Sequence, residues 1–448
     1  MNIHPRVLEY EVPEFASRLK DKAPPTKLVL AMVPTPIQRF RMPEEIDGFE
    51  IFVKRDDMTG STLSGNKIRK LEFILADALE KKADTIVTCG GIQSNFCRIT
   101  ALAAKELNMQ THVLLRSPTP SDKRSVGNQG NVFLHKLNGT TMHLVKKQAY
   151  LTGLLPKMEI LSDQLSSQGL SPYLIAIGGS DTVGLWGYIE CWKEMLEQNV
   201  PGFITDVVVT IGSGGTAAGL AIGNYLSGSK VKMHAISVCD NAQIFHEHVN
   251  EMIEFLGLSN ETKSEDILNI IDGYKGRGYA LNTKEELDFI KAASGTSGVP
   301  TDPVYTGKAV RGMFVELQNQ SRTGQGHFSG NKILFVHTGG IFGLYDGQIE
   351  PILGDSTVRD LTNGAKKAFR VVAVAEIEVA RPGMPDLFER GLCTSSRIAE
   401  YTNLFKGELI VVWFNASNNL PSWTYGLRDS RRKLLLPASS TVAYTAKP

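Results

Sequence analysis

The sequence predicts an α/β fold: two domains, each a mostly parallel twisted sheet flanked by helices. From about residue 51 to 350, short continuous apolar runs alternate with helix-like segments, the rhythm of parallel strands covered on both faces. Glycine clusters recur at the ends of these runs, as CGGIQSN, AIGGSDTVG, TIGSGGTAAG and HTGGIFG. In such folds, ligands bind beyond the carboxyl ends of the strands, near helix N-termini.

Taken in order, the strand candidates are 83–89, 111–116, 141–146, 173–178, 205–211, 232–238 and 332–338. Helices are expected over 68–82, 95–108, 183–198, 216–228 and 308–320. Residues 59–165 read as a smaller inserted α/β domain, and 1–58 with 166–348 as one larger domain. The tail 349–448 changes character. RVVAVAEIEVA (370–380) alternates like an exposed strand and LIVVWF (409–414) is strand-like, yet no helical rhythm accompanies them.

The 448 residues are enough for two or three domains of about 150 each. With 48 Lys+Arg against 47 Asp+Glu, the charge balance gives no footing for nucleic acid or an anionic membrane. The cysteines Cys89, Cys97, Cys191, Cys239 and Cys393 form no CxxC pair, and no histidine stands at zinc-ligand spacing. Buried thiols in a reducing compartment follow. MNIHPRVLEYEVPEF lacks an apolar signal core, and no uncharged apolar run reaches the ~18 residues of a membrane span. A cytoplasmic protein is expected.

Among the loops, VVVTIGSGGTAAGLAIG carries the strongest anion-binding pattern. Gly212, Gly214 and Gly215 permit tight turns, so backbone N–H groups, with Ser213 among them, can converge on a phosphate at the helix start. Thr216 adds a hydroxyl. The run lacks the Gly-Lys-Ser/Thr of a P-loop. It formally matches a dinucleotide fingerprint, with Asp240 ending the next strand, so a nicotinamide-dependent dehydrogenase is an alternative from another class. In VTCGGIQSNFCRIT, Ser94 or Asn95 sits where a helix needs its cap. The same helix start, with Gln93, Ser94 and Asn95 side by side, also makes a carboxylate pocket. No histidine adjoins Ser94, so a hydrolase triad is not indicated. His337 ends an apolar strand and reads as a satisfied core histidine.

SGNKIRKLEF places Lys67 at a helix start, where the dipole disfavours a cation. A reactive lysine and a distant phosphate cradle, without a metal motif, suggest pyridoxal phosphate: the amine bonds the aldehyde while the glycine loop holds the far end.

SGNKIRKLEF, GGIQSN, GSGGTAAG, DPVYTGK and HTGG, in this order, resemble the D-cysteine desulfhydrase and 1-aminocyclopropane-1-carboxylate (ACC) deaminase family, whose members are tryptophan-synthase-β-like, fold type II pyridoxal-phosphate enzymes. The resemblance spans about residues 10–348. It implies that Lys67 is the Schiff-base lysine, that Asn95 reaches the ring oxygen and that the Gly212–Thr216 loop holds the phosphate. It implies a substrate carboxylate bound by Ser94 and its neighbours, with Ser94 a nucleophile or proton shuttle. Tyr279 and Tyr305 would line the active site, and Thr306 would lie at the pyridine nitrogen. It also implies a homodimer. Ring-opening members carry Glu where this chain has Thr306. A hydroxyl stabilises no pyridinium charge, which tilts the expectation to β-elimination of D-cysteine, with ACC deamination as the alternative.

Overall fold

The structure, a computed structural model, describes residues 6–354 and, further on, 399–405, 408–416, 422–429 and 442–443. The chain divides into two compact units, 1–354 and 355–448.

Within the first unit, the larger sheet has six strands. Its order is Asn269–Ile271, Lys232–Ser237, Asp206–Ile211, Lys332–Val336, Glu50–Lys54 and Ile37–Arg39. All pairings are parallel except the last, where the edge strand Ile37–Arg39 runs antiparallel to Glu50–Lys54. DVVVTI occupies an interior position because every side chain in it is buried. Its alternation divides the core, as strand geometry requires. Val207, Val209 and Ile211 pack with Trp186 and Trp192 on one face. Val208 packs with Phe335, Val310 and Met313 on the other.

The smaller sheet orders Thr141–Val145, Gln110–Arg116, Thr85–Gly91 and Pro172–Leu174, all parallel. Its fourth strand comes from beyond residue 165, the limit expected for the smaller unit. The strand expected over 173–178 stops at Leu174, since Gly178 (φ 69°) and Gly179 (φ 56°) turn the chain out of the sheet.

Helices Lys67–Glu80, Asn95–Glu106, Trp186–Glu197, Gly215–Leu226 and Thr306–Thr323 stand where the apolar periodicity places them. The GLAIG spacing has a packing reason. A Cβ on Gly219 would lie 2.4 Å from the Tyr188 Cβ, and one on Gly223 would lie 2.7 Å from the Trp192 Cβ. The two helices meet at the distance only glycine allows. In the second unit, LIVVWF lies in the strand Glu408–Ala416, which pairs antiparallel with Ala399–Phe405 and Ser422–Asp429. The run at 370–380 lies outside the described residues.

Candidate active site

Lys67 opens the helix Lys67–Glu80, and the three cations of KIRK have different surroundings. Arg69 is a buried structural ion. Its guanidinium grips Asp56 through Nε–Oδ2 at 2.9 Å and Nη2–Oδ1 at 2.8 Å, and reaches Glu194 Oε2 at 2.8 Å. Lys54 and Tyr188 complete this cluster, with Tyr188 donating to Asp56 at 2.7 Å. Burial would raise the Asp56 carboxyl, but Arg69 and Lys54 hold it down at about 2.

Lys67 has no such company. It is half-buried and makes no hydrogen bond or ion pair with any described residue. Burial alone lowers its amine to about 8. A Cβ built on Gly178 would lie 3.6 Å from Nζ, so the GGSD turn skirts the amine. Lys70, one helical turn on, is fully buried and donates to the Gly178 carbonyl at 3.3 Å. Burial, then the nearby Lys67, pushes its amine well below the usual lysine value.

The glycine loop after Asp206–Ile211 comes to the same place. Asn66, just before Lys67, donates its amide to Thr216 Oγ1 at 2.9 Å, tying the lysine turn to the loop. Gly214 takes φ 90°, and a Cβ there would meet His248 Cδ2 at 2.6 Å. A Cβ on Gly215 would lie 2.9 Å from Lys70 Nζ, placing that amine against the start of the helix. The Gly215 N–H donates to Ser180 Oγ at 2.7 Å, and Ser180 in turn donates to the Ser213 carbonyl.

Ser94 caps the helix Asn95–Glu106, its Oγ accepting the Cys97 N–H at 3.2 Å. Capping uses a lone pair and leaves the hydroxyl proton available. Asn131 organises the neighbours. Its amide donates to Asn95 Oδ1 at 2.9 Å and to the Gln93 carbonyl at 3.0 Å. Its backbone N–H donates to Gln93 Oε1 at 2.8 Å. With the Asn95 oxygen occupied, its NH2 group is the part left to donate to a ligand. Burial raises the Cys97 thiol to about 11, which leaves it inert.

Tyr279 and Tyr305 share a hydroxyl–hydroxyl bond of 2.6 Å. Their rings lie edge to face at 5.7 Å. Tyr279 Cε1 would be 3.3 Å from a Cβ on Gly91, and Tyr305 Cε1 2.9 Å from one on Gly212. The pair therefore bridges the end of a small-sheet strand and the glycine loop. Burial pushes Tyr279 up to about 12 and Tyr305 well above its usual value. Thr306 is fully buried, and its hydroxyl is engaged at both ends. Oγ1 donates to Asp302 Oδ1 at 2.7 Å and accepts the Asp302 N–H at 2.8 Å. His337 Nδ1 accepts from the Gly339 N–H at 3.1 Å, which leaves Nε2 to donate to the Pro300 carbonyl at 2.8 Å. It is a satisfied core histidine. Asp240 is exposed after the strand Lys232–Ser237, its Oδ2 3.4 Å from Cys239 Sγ.

These residues suit pyridoxal phosphate: an amine without a partner among the described residues, a glycine cradle that no Cβ could enter, and a second buried amine at the cradle. A nicotinamide site would leave Lys67 without a purpose. The chain matches the family described as pyridoxal-phosphate dependent enzyme over residues 28–339, and it belongs to that family.

Among its relatives is the bifunctional D-cysteine desulfhydrase/1-aminocyclopropane-1-carboxylate deaminase, mitochondrial, of Arabidopsis thaliana, 41% identical over 80% of this chain and 89% of the relative. The D-cysteine desulfhydrase of Klebsiella pneumoniae is 34% identical over 71% of this chain and 95% of its own. A crystal structure of an ACC deaminase homologue superimposes with a TM-score of 0.65 at 32% identity, covering 76% of this chain and 98% of that one. Among the described residues no helix is long and apolar enough to cross a membrane.

Sequence reasoning gave no role to Lys70, Asn66, Asn131 or Ser180. For Lys70 a signal existed, since residues three apart share a helix face and Lys70 had to follow Lys67. Asn131 had none, being joined to Gln93 and Asn95 only by the fold.

Proposed function

We propose that the protein is a carbon–sulfur lyase that cleaves D-cysteine to pyruvate, hydrogen sulfide and ammonia, with ACC deamination as the alternative on the same scaffold. The observation that carries the choice is Thr306, whose single proton is committed to Asp302. A ring nitrogen beside it receives neither a carboxyl proton nor a hydroxyl proton, and so stays neutral. A neutral ring is the weaker electron sink, sufficient when an α-proton and a good leaving group depart together. ACC has no α-proton.

Pyridoxal phosphate, when bound, supplies an aldehyde for amines and a conjugated ring that withdraws electrons from the α-carbon. Lys67 would hold the aldehyde end. The N–H groups of Gly212, Ser213, Gly214, Gly215 and Thr216, with the Lys70 ammonium, would hold the phosphate. Asn95 has its NH2 left to donate to a ring oxygen. Gln93, Ser94 and Asn95 surround the helix start that suits a carboxylate. The Lys67 amine, its pKa lowered to about 8 by burial, would serve as the base for the α-proton. The Ser94 hydroxyl keeps a proton to shuttle, and Tyr279 with Tyr305 excludes water from one side.

We assign residues 1–58 and 166–348 to the larger cofactor-binding domain and 59–165, with Lys67 and Ser94, to the smaller. The strand Pro172–Leu174 contributes to the smaller sheet. A homodimer and a cytoplasmic location complete the reading. The free thiols Cys89, Cys97, Cys191 and Cys239 suit a reducing compartment.

The test is steady-state turnover of D-cysteine and of ACC by one preparation. D-cysteine should be the faster by about tenfold or more, the scale of one lost electrostatic partner. Faster turnover of ACC would overturn the argument from Thr306.

A further inference from the structure

Arg116 ends the strand Gln110–Arg116, at the carboxyl edge where ligands of parallel sheets bind. It is in register with Gly91 of the neighbouring strand, and Gly91 begins the turn that leads to Ser94. Its guanidinium carbon lies 5.9 Å from the centre of the Tyr279 ring. Tyr279 in turn bonds Tyr305, so Arg116, Tyr279, Tyr305 and Gly212 form one continuous wall. No described residue gives the Arg116 guanidinium a hydrogen bond or an ion pair. Its charge nevertheless opposes the effect of burial on Tyr279, Cys97 and Cys239, so it acts inward on all three.

An always-charged group with five donors is thus held half-buried beside the candidate site with only a ring for company. The ring alone does not offset the side-chain entropy that an ordered arginine loses. An anion is the missing partner. The carboxylate already has its donors at the Ser94 helix start. Arg116 stands one strand away from it and faces Tyr279.

We propose that Arg116 is the specificity-determining residue for the β-substituent, its guanidinium receiving the sulfur as negative charge develops there. This rests on the β-elimination reading above. In that step the Lys67 amine takes the α-proton, and the Cα–H electron pair becomes the Cα–Cβ double bond. The C–S bond breaks, and its pair leaves with sulfur as hydrosulfide, which takes a proton from solvent. Water then releases ammonia and leaves pyruvate. A fixed cation at the departing sulfur is worth most in the transition state, where the charge appears.

The full-chain holoenzyme and its Arg116→Gln and Arg116→Lys variants should be compared on D-cysteine and on β-chloro-D-alanine. Chloride is a weakly basic leaving group that needs little help. With Arg116→Gln, kcat on D-cysteine should fall by about 10–100-fold, while kcat on the chloro substrate stays within about threefold. Arg116→Lys, which keeps a point charge, should recover part of the loss. Unchanged D-cysteine kcat would overturn the proposal. So would an equal rise of KM on both substrates, which would make Arg116 a carboxylate ligand. If the unmodified enzyme eliminates from neither substrate, the β-elimination reading itself fails and this inference with it.

Discussion

At the scale of single residues, the proposed chemistry rests on Lys67 and Thr306, and each makes a prediction. Burial lowers the Lys67 amine from 10.5 to about 8. Below about pH 8 both folded and unfolded chains hold the proton, and the cofactor-free protein bears the full cost of a buried cation. Between about 8 and 10.5 the folded chain loses the proton first, so this group's penalty is relieved as pH rises. The effect is about 2 kcal/mol after allowance for partial exposure. Lys67→Met should therefore abolish turnover yet raise the melting temperature of the cofactor-free protein at pH 7, with the difference shrinking by pH 10. A lower melting temperature at pH 7 would mean that Lys67 is a structural ion like Arg69. Thr306→Glu should move the ratio of D-cysteine to ACC turnover toward ACC by about tenfold or more, because a carboxylate favours a protonated ring nitrogen. A ratio that does not move would separate position 306 from the choice of substrate.

The helix Lys67–Glu80 joins chemistry to framework at the scale of an element. One of its faces presents Lys67 to the Gly178 turn and Lys70 to the glycine loop, while Arg69 anchors another in the Asp56–Glu194 cluster. Arg69→Met would leave buried carboxylates without their main partner, so a loss of about 3–5 kcal/mol in denaturant unfolding is expected. A loss under about 1 kcal/mol would show the cluster to be solvated. Elements of this kind were legible in the sequence because their apolar periodicity and flanking glycines are local. The edge strands Ile37–Arg39 and Asn269–Ile271 were not, being only three residues long and fixed by neighbours far away in sequence. The strand Glu50–Lys54 was missed although its core-facing residues are buried. Gly178 and Gly179 turned the chain where the apolar run alone suggested it would continue.

At the scale of the whole molecule, the glycine motifs and Lys67 were readable because each sits at a strand end or helix start that local rules define. The network through Asn131, the Asn66–Thr216 bond and the position of Arg116 over Tyr279 exist only once two sheets have been assembled. The family match ends within the first compact unit, at residue 339. A chain shortened to end at Gly354 should therefore keep D-cysteine turnover within about threefold, whereas a loss beyond about tenfold would make the remainder part of the enzyme. For the proposed chemistry, one amine must be joined to the cofactor. Borohydride reduction of the purified protein, followed by peptide mass mapping, tests this directly. The predicted result is a single phosphopyridoxyl group on Lys67 and loss of the visible absorption, with Lys70 unlabelled. A label on Lys70, or no label on a folded sample supplied with the cofactor, would contradict it.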